Sequence, residues 1–324
     1  MLINEMFLKG IAANTLYLQP EYVCLSINWM TNNLFNMTRQ YAMRIVVMVM
    51  MALCGTAAWA ADGVDATTQN TDSIKQLEKW EVVFNWVGEH LDSLADSYLA
   101  KSGNILDPDI VREELKSIGY NGLNVTDYIL GSRQIDSLVL IKLLDRAEAE
   151  NNKTIFFMMG SSGAGKSTAL RNNPDLKQMV NSVGLVYDGA FISIPSFETR
   201  LKMVQDRGFK ASIIFVHNDA ETGFTNTINR MIKTNRSMSL YYYAYSYPRF
   251  HGRIEYLLRE HPDVDLYCLD NSHNKGGERV SHDEALTWDY TISKRLMSRL
   301  HKIKNRFKKL GLLTPEQIED LEAK

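Results

Sequence analysis

The chain has 324 residues, 45% hydrophobic and 23% charged, with 36 basic and 38 acidic side chains and a net charge of −2. That length allows one large domain or two small ones with a sizeable core, and the near-zero charge supplies no global field for nucleic acid or an acidic surface. The cysteines Cys24, Cys54 and Cys268 match no metal-ligand spacing, and with the first two in a removable leader no disulfide framework remains.

Residues 37–60 have the three-part layout of a secretory signal peptide: Arg39 and Arg44, the apolar run Ile45 to Leu53, then Ala58-Trp59-Ala60 at cleavage spacing. The run is too short, and too soon broken by Gly55, to favour a permanent membrane span. Bulky Leu53 before Cys54 argues against a lipoprotein site. Residues 1–36 then read as an upstream extension from a misplaced start, the true start being Met37 or Met43. Cleavage would make the protein periplasmic or secreted; if the leader is not used, the chain is cytoplasmic and the segment an amphipathic or anchoring helix. Residues 61–73, small and polar, read as a flexible leader.

Residues 74–150 read as a helical segment contributing to the core. Ile74, Leu77, Trp80, Phe84, Val87, Leu91, Leu94 and Tyr98 recur at helical spacing up to Gly103. The apolar pair Ile105-Leu106 leads into Asp107-Pro108-Asp109, where Pro108 suits the first turn of a helix and a carboxylate suits its positive end. Asp107 reads as the cap of that helix, and Asp109 as a general base facing a substrate hydroxyl. Ile135 to Ala149 is a leucine-rich helix, and Asn151-Asn152-Lys153 turns into the next strand.

Residues 151–282 form the expected core. Thr154 to Met159, TIFFMM, is bulky and apolar throughout, as a strand buried on both faces requires. Gly160-Ser161-Ser162-Gly163-Ala164-Gly165-Lys166-Ser167, followed by Thr168, fits the phosphate-binding pattern G-x-x-x-x-G-K-[ST]. Its glycines let backbone N–H groups point inward at a helix start, which is a cradle for a phosphate chain. Lys166 is expected to reach the β- and γ-phosphates of ATP and the Ser167 hydroxyl to take a position on Mg²⁺. Asn172-Asn173-Pro174 cuts the following helix short. Val183 to Tyr187 is a strand that delivers Asp188-Gly189 at its carboxyl end, where ligands of open α/β sheets sit. Asp188 is expected there on Mg²⁺ or on the substrate, unless Asp-Gly simply makes the turn.

A helix with Phe197, Leu201 and Val204 inward stops at Gly208, and Ala211 to Val216 is a third strand. His217 after it reads as a satisfied loop residue rather than a ligand. The next helix is expected to carry Arg230 and Arg236, with Lys233 between them; they are either a solvated face or the positive charge that phosphoryl transfer needs from a mobile arm. The aromatic tract Ser239 to Phe250 reads as core or as the lining of a substrate cleft. Val264 to Leu269 is a fourth strand, and Asp270-Asn271-Ser272 after it is placed to border a nucleotide base. Residues 283–324 are C-terminal helices: Ile292, Leu296, Leu300, Ile303 and Phe307 stripe the first among many lysines and arginines, and Thr314-Pro315 opens the last. No aromatic residues interleave that basic face to suggest nucleic acid.

The order of strands, phosphate loop and helices is that of an α/β P-loop fold, and the chain resembles the zeta-toxin group of P-loop kinases over roughly residues 100 to 275. LVYDGAFISIPSFETRLKMVQDRGFKASIIFVHND, RMIKTNRSMSL and DLYCLDNS carry the likeness beyond the loop. The resemblance implies a P-loop NTPase three-layer sandwich with a mainly parallel sheet. It implies ATP and Mg²⁺ on Lys166 and Ser167, Asp109 as base, and Arg230 and Arg236 steadying the phosphate. It further implies a UDP-N-acetylamino sugar as acceptor, and an antitoxin as partner. In the best-known relatives the aspartate segment follows the loop; here it precedes it, so its strand must enter the sheet in a permuted order, and Asp188 is the alternative base. Tyr247 stands near a position where relatives often carry His. The rival class is a nucleotide-binding or NTP-hydrolysing module without a dedicated acceptor.

Overall fold

The computed structural model describes residues 66–274 and 276–323. The upstream extension 1–36, the signal peptide 37–60, the start of the leader at 61–65, Cys24 and Cys54 lie outside the described residues.

In chain order the elements are α1 (Ala66–Ser102), β1 (Ile105–Leu106), α2 (Pro108–Val111), a 3₁₀ stretch (Arg112–Ile118), α3 (Val125–Ala149), β2 (Thr154–Met159), α4 (Lys166–Asn172), α5 (Pro174–Ser182) and β3 (Leu185–Asp188). They continue as α6 (Ile194–Asp206), β4 (Lys210–His217), α7 (Ala220–Thr234), α8 (Leu240–Ser246), a 3₁₀ turn (Tyr247–Phe250), α9 (Arg253–Glu260) and β5 (Asp265–Asp270). The chain closes with β6 (Glu278–Val280), α10 (His282–Ala285), α11 (Lys294–Lys309) and α12 (Pro315–Glu322).

The fold is α/β with one six-stranded sheet in the order β1-β3-β2-β4-β5-β6. All neighbours run parallel except β5 and β6. Alternate residues of the central strands enter two cores, as the two-residue period of a strand demands. Ile155, Phe157, Met159, Ile213 and Phe215 point into the larger core, with α3, α6 and α7. Phe156, Met158, Val186, Ile214 and Val216 point into a smaller one with Ala169 of α4 and Leu176 and Val180 of α5. Both faces are therefore covered by helices, which is why β2 and β4 read as continuous apolar runs.

β1 precedes β2 in the chain yet pairs beyond β3, with Ile105 opposite Val186 and Leu106 opposite Tyr187. It is the permuted entry that the early aspartate segment needed, and it sets Asp107 and Asp109 beside the end of β3. Asn173 explains the short α4: it ends that helix, and its side chain accepts from Leu176 N to start α5, with Pro174 in the first turn. Thr314 opens α12 with a capping box to Gln317.

The helix expected from residue 74 begins at Ala66, inside the stretch 61–73 taken for a flexible leader. The leucine-rich helix starts at Val125 rather than Ile135, because its first turns bury Tyr128 and Ser132 instead of a leucine stripe. β6 was not expected; three residues are too few to show a period. The segments 74–150, 151–282 and 283–324 all contribute to one compact unit, Thr71–Lys324. No described helix is long and apolar enough to cross a membrane.

Candidate active site

The loop Gly160–Thr168 joins β2 to α4. Gly163 has φ +71°, and a Cβ there would lie 1.9 Å from the Gly223 carbonyl oxygen of α7; Gly165 has φ +88°, and its Cβ would lie 2.2 Å from Asn271 Nδ2. Only glycine meets both the backbone conformation and the close approach. Carboxamides hold the loop from outside: Asn226 Nδ2 donates to the Gly163 carbonyl at 3.0 Å and Asn271 Nδ2 to the Ala164 carbonyl at 2.8 Å. Asn271 is fully buried, and its Oδ1 accepts from Gly276 N at 2.9 Å. Both ends of the Asn271 amide are thus engaged, Nδ2 on the loop and Oδ1 on Gly276. Ser161 is buried and its carbonyl accepts from Ala164 N, while Ser162 Oγ meets Thr227 Oγ1 at 3.2 Å and Arg230 at 3.3 Å. Ser167 is exposed at the first turn of α4, and Thr168 is half-buried.

Lys166 Nζ lies 3.5 Å from Asp188 Oδ1, both side chains being largely shielded. Behind Asp188, the Tyr187 hydroxyl donates to buried Asp136, which also pairs with Arg200 at 3.0 Å. Across the end of β3 stands the aspartate turn. Asp107 caps α2 as the sequence suggested, its Oδ1 accepting from Asp109 N at 2.8 Å and Ile110 N at 3.3 Å. Tyr98 of α1 pins that turn: its hydroxyl donates to the Ile105 carbonyl at 3.1 Å and accepts from Asp107 N at 2.8 Å.

Asp109 is the hub. Its Oδ2 accepts from Arg236 at 2.6 Å and lies 3.7 Å from Arg230, and its Oδ1 accepts from Arg112 at 2.6 Å. Arg236 also lies 3.8 Å from Asp107. The structure therefore brings Lys166, Asp188, Asp109, Arg230 and Arg236 to one end of the sheet and adds Asp107 and Arg112. Arg112 was legible only as an i,i+3 partner of Asp109.

These environments drive the two carboxyls apart. Burial, then the charges of Asp109 and Asp188, push Asp107 up to about 6. Burial opposes ionisation of Asp109 as well, but Arg112, Arg236 and Arg230 outweigh it and hold that carboxyl well below the usual carboxylate range. Burial lowers Arg230, whereas Asp109 and Asp107 overcome the same effect at Arg236 and raise it.

Arg236, expected on α7, lies just past it: the helix ends at Thr234 because Asn235 turns left-handed at its C-cap, and the arm that follows is anchored from two sides. Ser237 N donates to the Gly122 carbonyl at 3.4 Å, and buried Gln317 of α12 donates to Asn235 Oδ1 at 2.7 Å and to the Met231 carbonyl at 3.1 Å. Nothing local in the sequence pointed to Gln317. His217 is a satisfied residue as expected: buried, stacked on Trp288 at 4.5 Å and bonded to the Tyr290 hydroxyl at 2.8 Å. Two surface cavities of about 400 Å³ lie away from this cluster, one beside Pro174, Lys177 and Asn181, the other beside Leu266, Arg279 and His282. Among the described residues no group of three His, Cys, Asp or Glu side chains is placed to hold a metal ion. No family model matches the chain, and no curated protein matches its sequence.

Proposed function

We propose that the chain is an ATP-dependent phosphotransferase of the zeta-toxin kind, built on a P-loop three-layer sandwich, that moves a γ-phosphoryl group onto a hydroxyl of a small acceptor. The observation that carries this reading is the meeting of three parts: the glycine loop with Lys166, the carboxylate Asp188, and Asp109 flanked by Arg230 and Arg236. The family-type acceptor is a UDP-N-acetylamino sugar.

The residues fit a bound polyphosphate. The Nε atoms of Arg112, Arg230 and Arg236 are buried without a hydrogen-bond partner, and Asp188 Oδ1 faces only the Lys166 ammonium at 3.5 Å. Unpaired buried donors of this kind are costly, and an anion among the arginines supplies what they lack. Ser167 and Asp188 would hold Mg²⁺, which would supply positive charge against the phosphates. Lys166 binds the phosphate chain. Arg230 and Arg236, now paired to Asp109, turn to the transferring group. Losing those partners lets the Asp109 carboxyl take up a proton more readily. Asp109 then accepts the acceptor's hydroxyl proton as its oxygen bonds to phosphorus and the bond to ADP breaks.

The test is the full chain incubated with labelled ATP, Mg²⁺ and a panel of nucleotide sugars. Label on an acceptor, lost in Lys166→Ala and Asp109→Ala and lowered on the order of 10³-fold in Arg236→Ala, is the expected result. Phosphate release that ignores every acceptor, or tight ATP binding without turnover, would replace this reading with a hydrolase or a binding module.

A further inference from the structure

Helix α11 carries eight lysines and arginines and no aspartate or glutamate, in a chain whose net charge is −2. Its apolar side chains are accounted for: Leu300 is fully buried, and Leu296, Ile303 and Phe307 pack on the larger core. On the opposite face Arg295, Lys302 and Lys309 recur every seven residues, with Arg299 and Arg306 between them. The helical repeat gathers these five into one stripe, about 21 Å long at about 1.5 Å per residue. All five are exposed. Arg299 pairs with Glu221 at 3.0 Å, while Glu322 serves Lys304 and Lys308 on the flank. Among the described residues Arg295, Lys302, Arg306 and Lys309 make no ion pair, nor does Lys294.

This arrangement does not serve the helix itself. The dipole accounts for Arg306, Lys308 and Lys309 in the last turn, but Lys294 and Arg295 stand in the first turn, at the positive end, with no acidic residue beside them. Along the stripe Arg295 and Arg299, and Lys302 and Arg306, are like charges four residues apart, which repel. A local rule broken with no gain inside the fold marks a functional surface. The stripe ends on two leucines. Leu310 stands four residues beyond Arg306, hence on the same side, and is 59% exposed; Leu312 is 48% exposed. The turn that carries them is fixed. Gly311 takes φ +64°, Leu310 N and Gly311 N donate to the Arg306 and Lys308 carbonyls at 3.0 and 3.1 Å, and Leu313 is buried. Core packing thus uses Leu313 and leaves the other two leucines outside.

We infer that the outer face of α11, with Leu310 and Leu312, docks on an anionic lipid surface. The unpaired cations complement a layer of phosphate headgroups, and each cation near such a surface adds attraction that salt screens. The leucines decide between lipid and the other common polyanion. They suit the boundary between headgroups and acyl chains, where a cationic patch and an apolar anchor act together. A ridge of nucleic-acid phosphates offers them nothing, and Phe307, the aromatic residue of α11, is turned to the core rather than placed to stack on a base. The attachment is peripheral, and it stands apart from the phosphotransferase reading.

The experiment is co-sedimentation of the full chain with vesicles of phosphatidylcholine alone and of phosphatidylcholine mixed with phosphatidylglycerol. The chain should bind the mixed vesicles, ignore the neutral ones, and come off as salt rises toward about 1 M. Lys302→Gln should weaken binding about fivefold, and Lys302→Glu at least about tenfold. Glutamate at 302 replaces two repulsive neighbours, Arg299 and Arg306, with two attractive ones. That variant should therefore melt no lower than the parent, which separates lost binding from lost folding. Leu310→Ser with Leu312→Ser should weaken binding to the mixed vesicles while leaving the melting temperature unchanged. No binding to the mixed vesicles, equal binding to neutral ones, or no response to Lys302→Glu overturns the inference. So does displacement of the chain from the vesicles by duplex DNA or RNA that the double serine variant binds as tightly as the parent, since the stripe would then read a phosphate polymer.

Discussion

Asp107→Asn separates two roles that one carboxylate now performs. As a cap, Asp107 accepts from two backbone N–H groups, and asparagine caps a helix as well as aspartate does. As a charge, it faces Asp109 and Asp188 from a largely shielded position, and its proton affinity rises from the ordinary 3.8 to about 6. Below about pH 3 the carboxyl is neutral in both folded and unfolded chains and costs nothing. Between about pH 4 and pH 6 the unfolded chain ionises first, so the native state loses stability as pH rises. The full rise corresponds to at most about 3 kcal/mol above pH 6. Asparagine has no charge to bury, so the variant should be more stable than the parent at pH 7.5, by about 1–3 kcal/mol. Near pH 3 the two should coincide. Urea denaturation followed by circular dichroism at both pH values measures the difference. A variant that is equally or less stable at pH 7.5 would show that Arg236 holds the Asp107 charge firmly, and the argument from carboxylate crowding would fail.

Gly163→Ala should lower both thermal stability and ATP affinity, since the added carbon meets the Gly223 carbonyl and φ is left-handed; calorimetry should show affinity down at least about tenfold, from strain of about 1–2 kcal/mol plus a displaced loop. Asn271→Ala leaves the Ala164 carbonyl only the long 3.5 Å bond from Asn218 Nδ2 and should cost about 1–3 kcal/mol of stability, with weaker ATP binding; an unchanged ATP affinity would show that the loop holds its shape without Asn271. Lys166→Ala should reduce phosphoryl transfer by more than about 10³-fold, to below detection in the labelled-ATP assay. His217 is held down to about 4 by burial, so the native state resists its protonation and loses stability as pH falls from 6.5 to about 4. The loss is at most about 3 kcal/mol, and His217→Phe should flatten that part of the denaturation profile.

Residue order alone carried what depends on neighbours in the chain. The bulky run before Gly160, the glycine spacing of the loop, the break at Asn172-Asn173-Pro174 and the caps at Asp107 and Thr314 are local consequences of backbone conformation and short-range hydrogen bonding. The division of the tyrosines at 239–250 into buried and exposed sets was not legible, because a run of tyrosines has no polar–apolar period to read. Tertiary structure decided everything that depends on which strand lies beside which. Only the pairing of β1 outside β3 puts Asp107 and Asp109 next to Asp188, and only the fold closes the gap between Asp109 and Arg236 to 2.6 Å. Such contacts arise from chain crossings and from packing between elements distant in sequence, and no local periodicity encodes them.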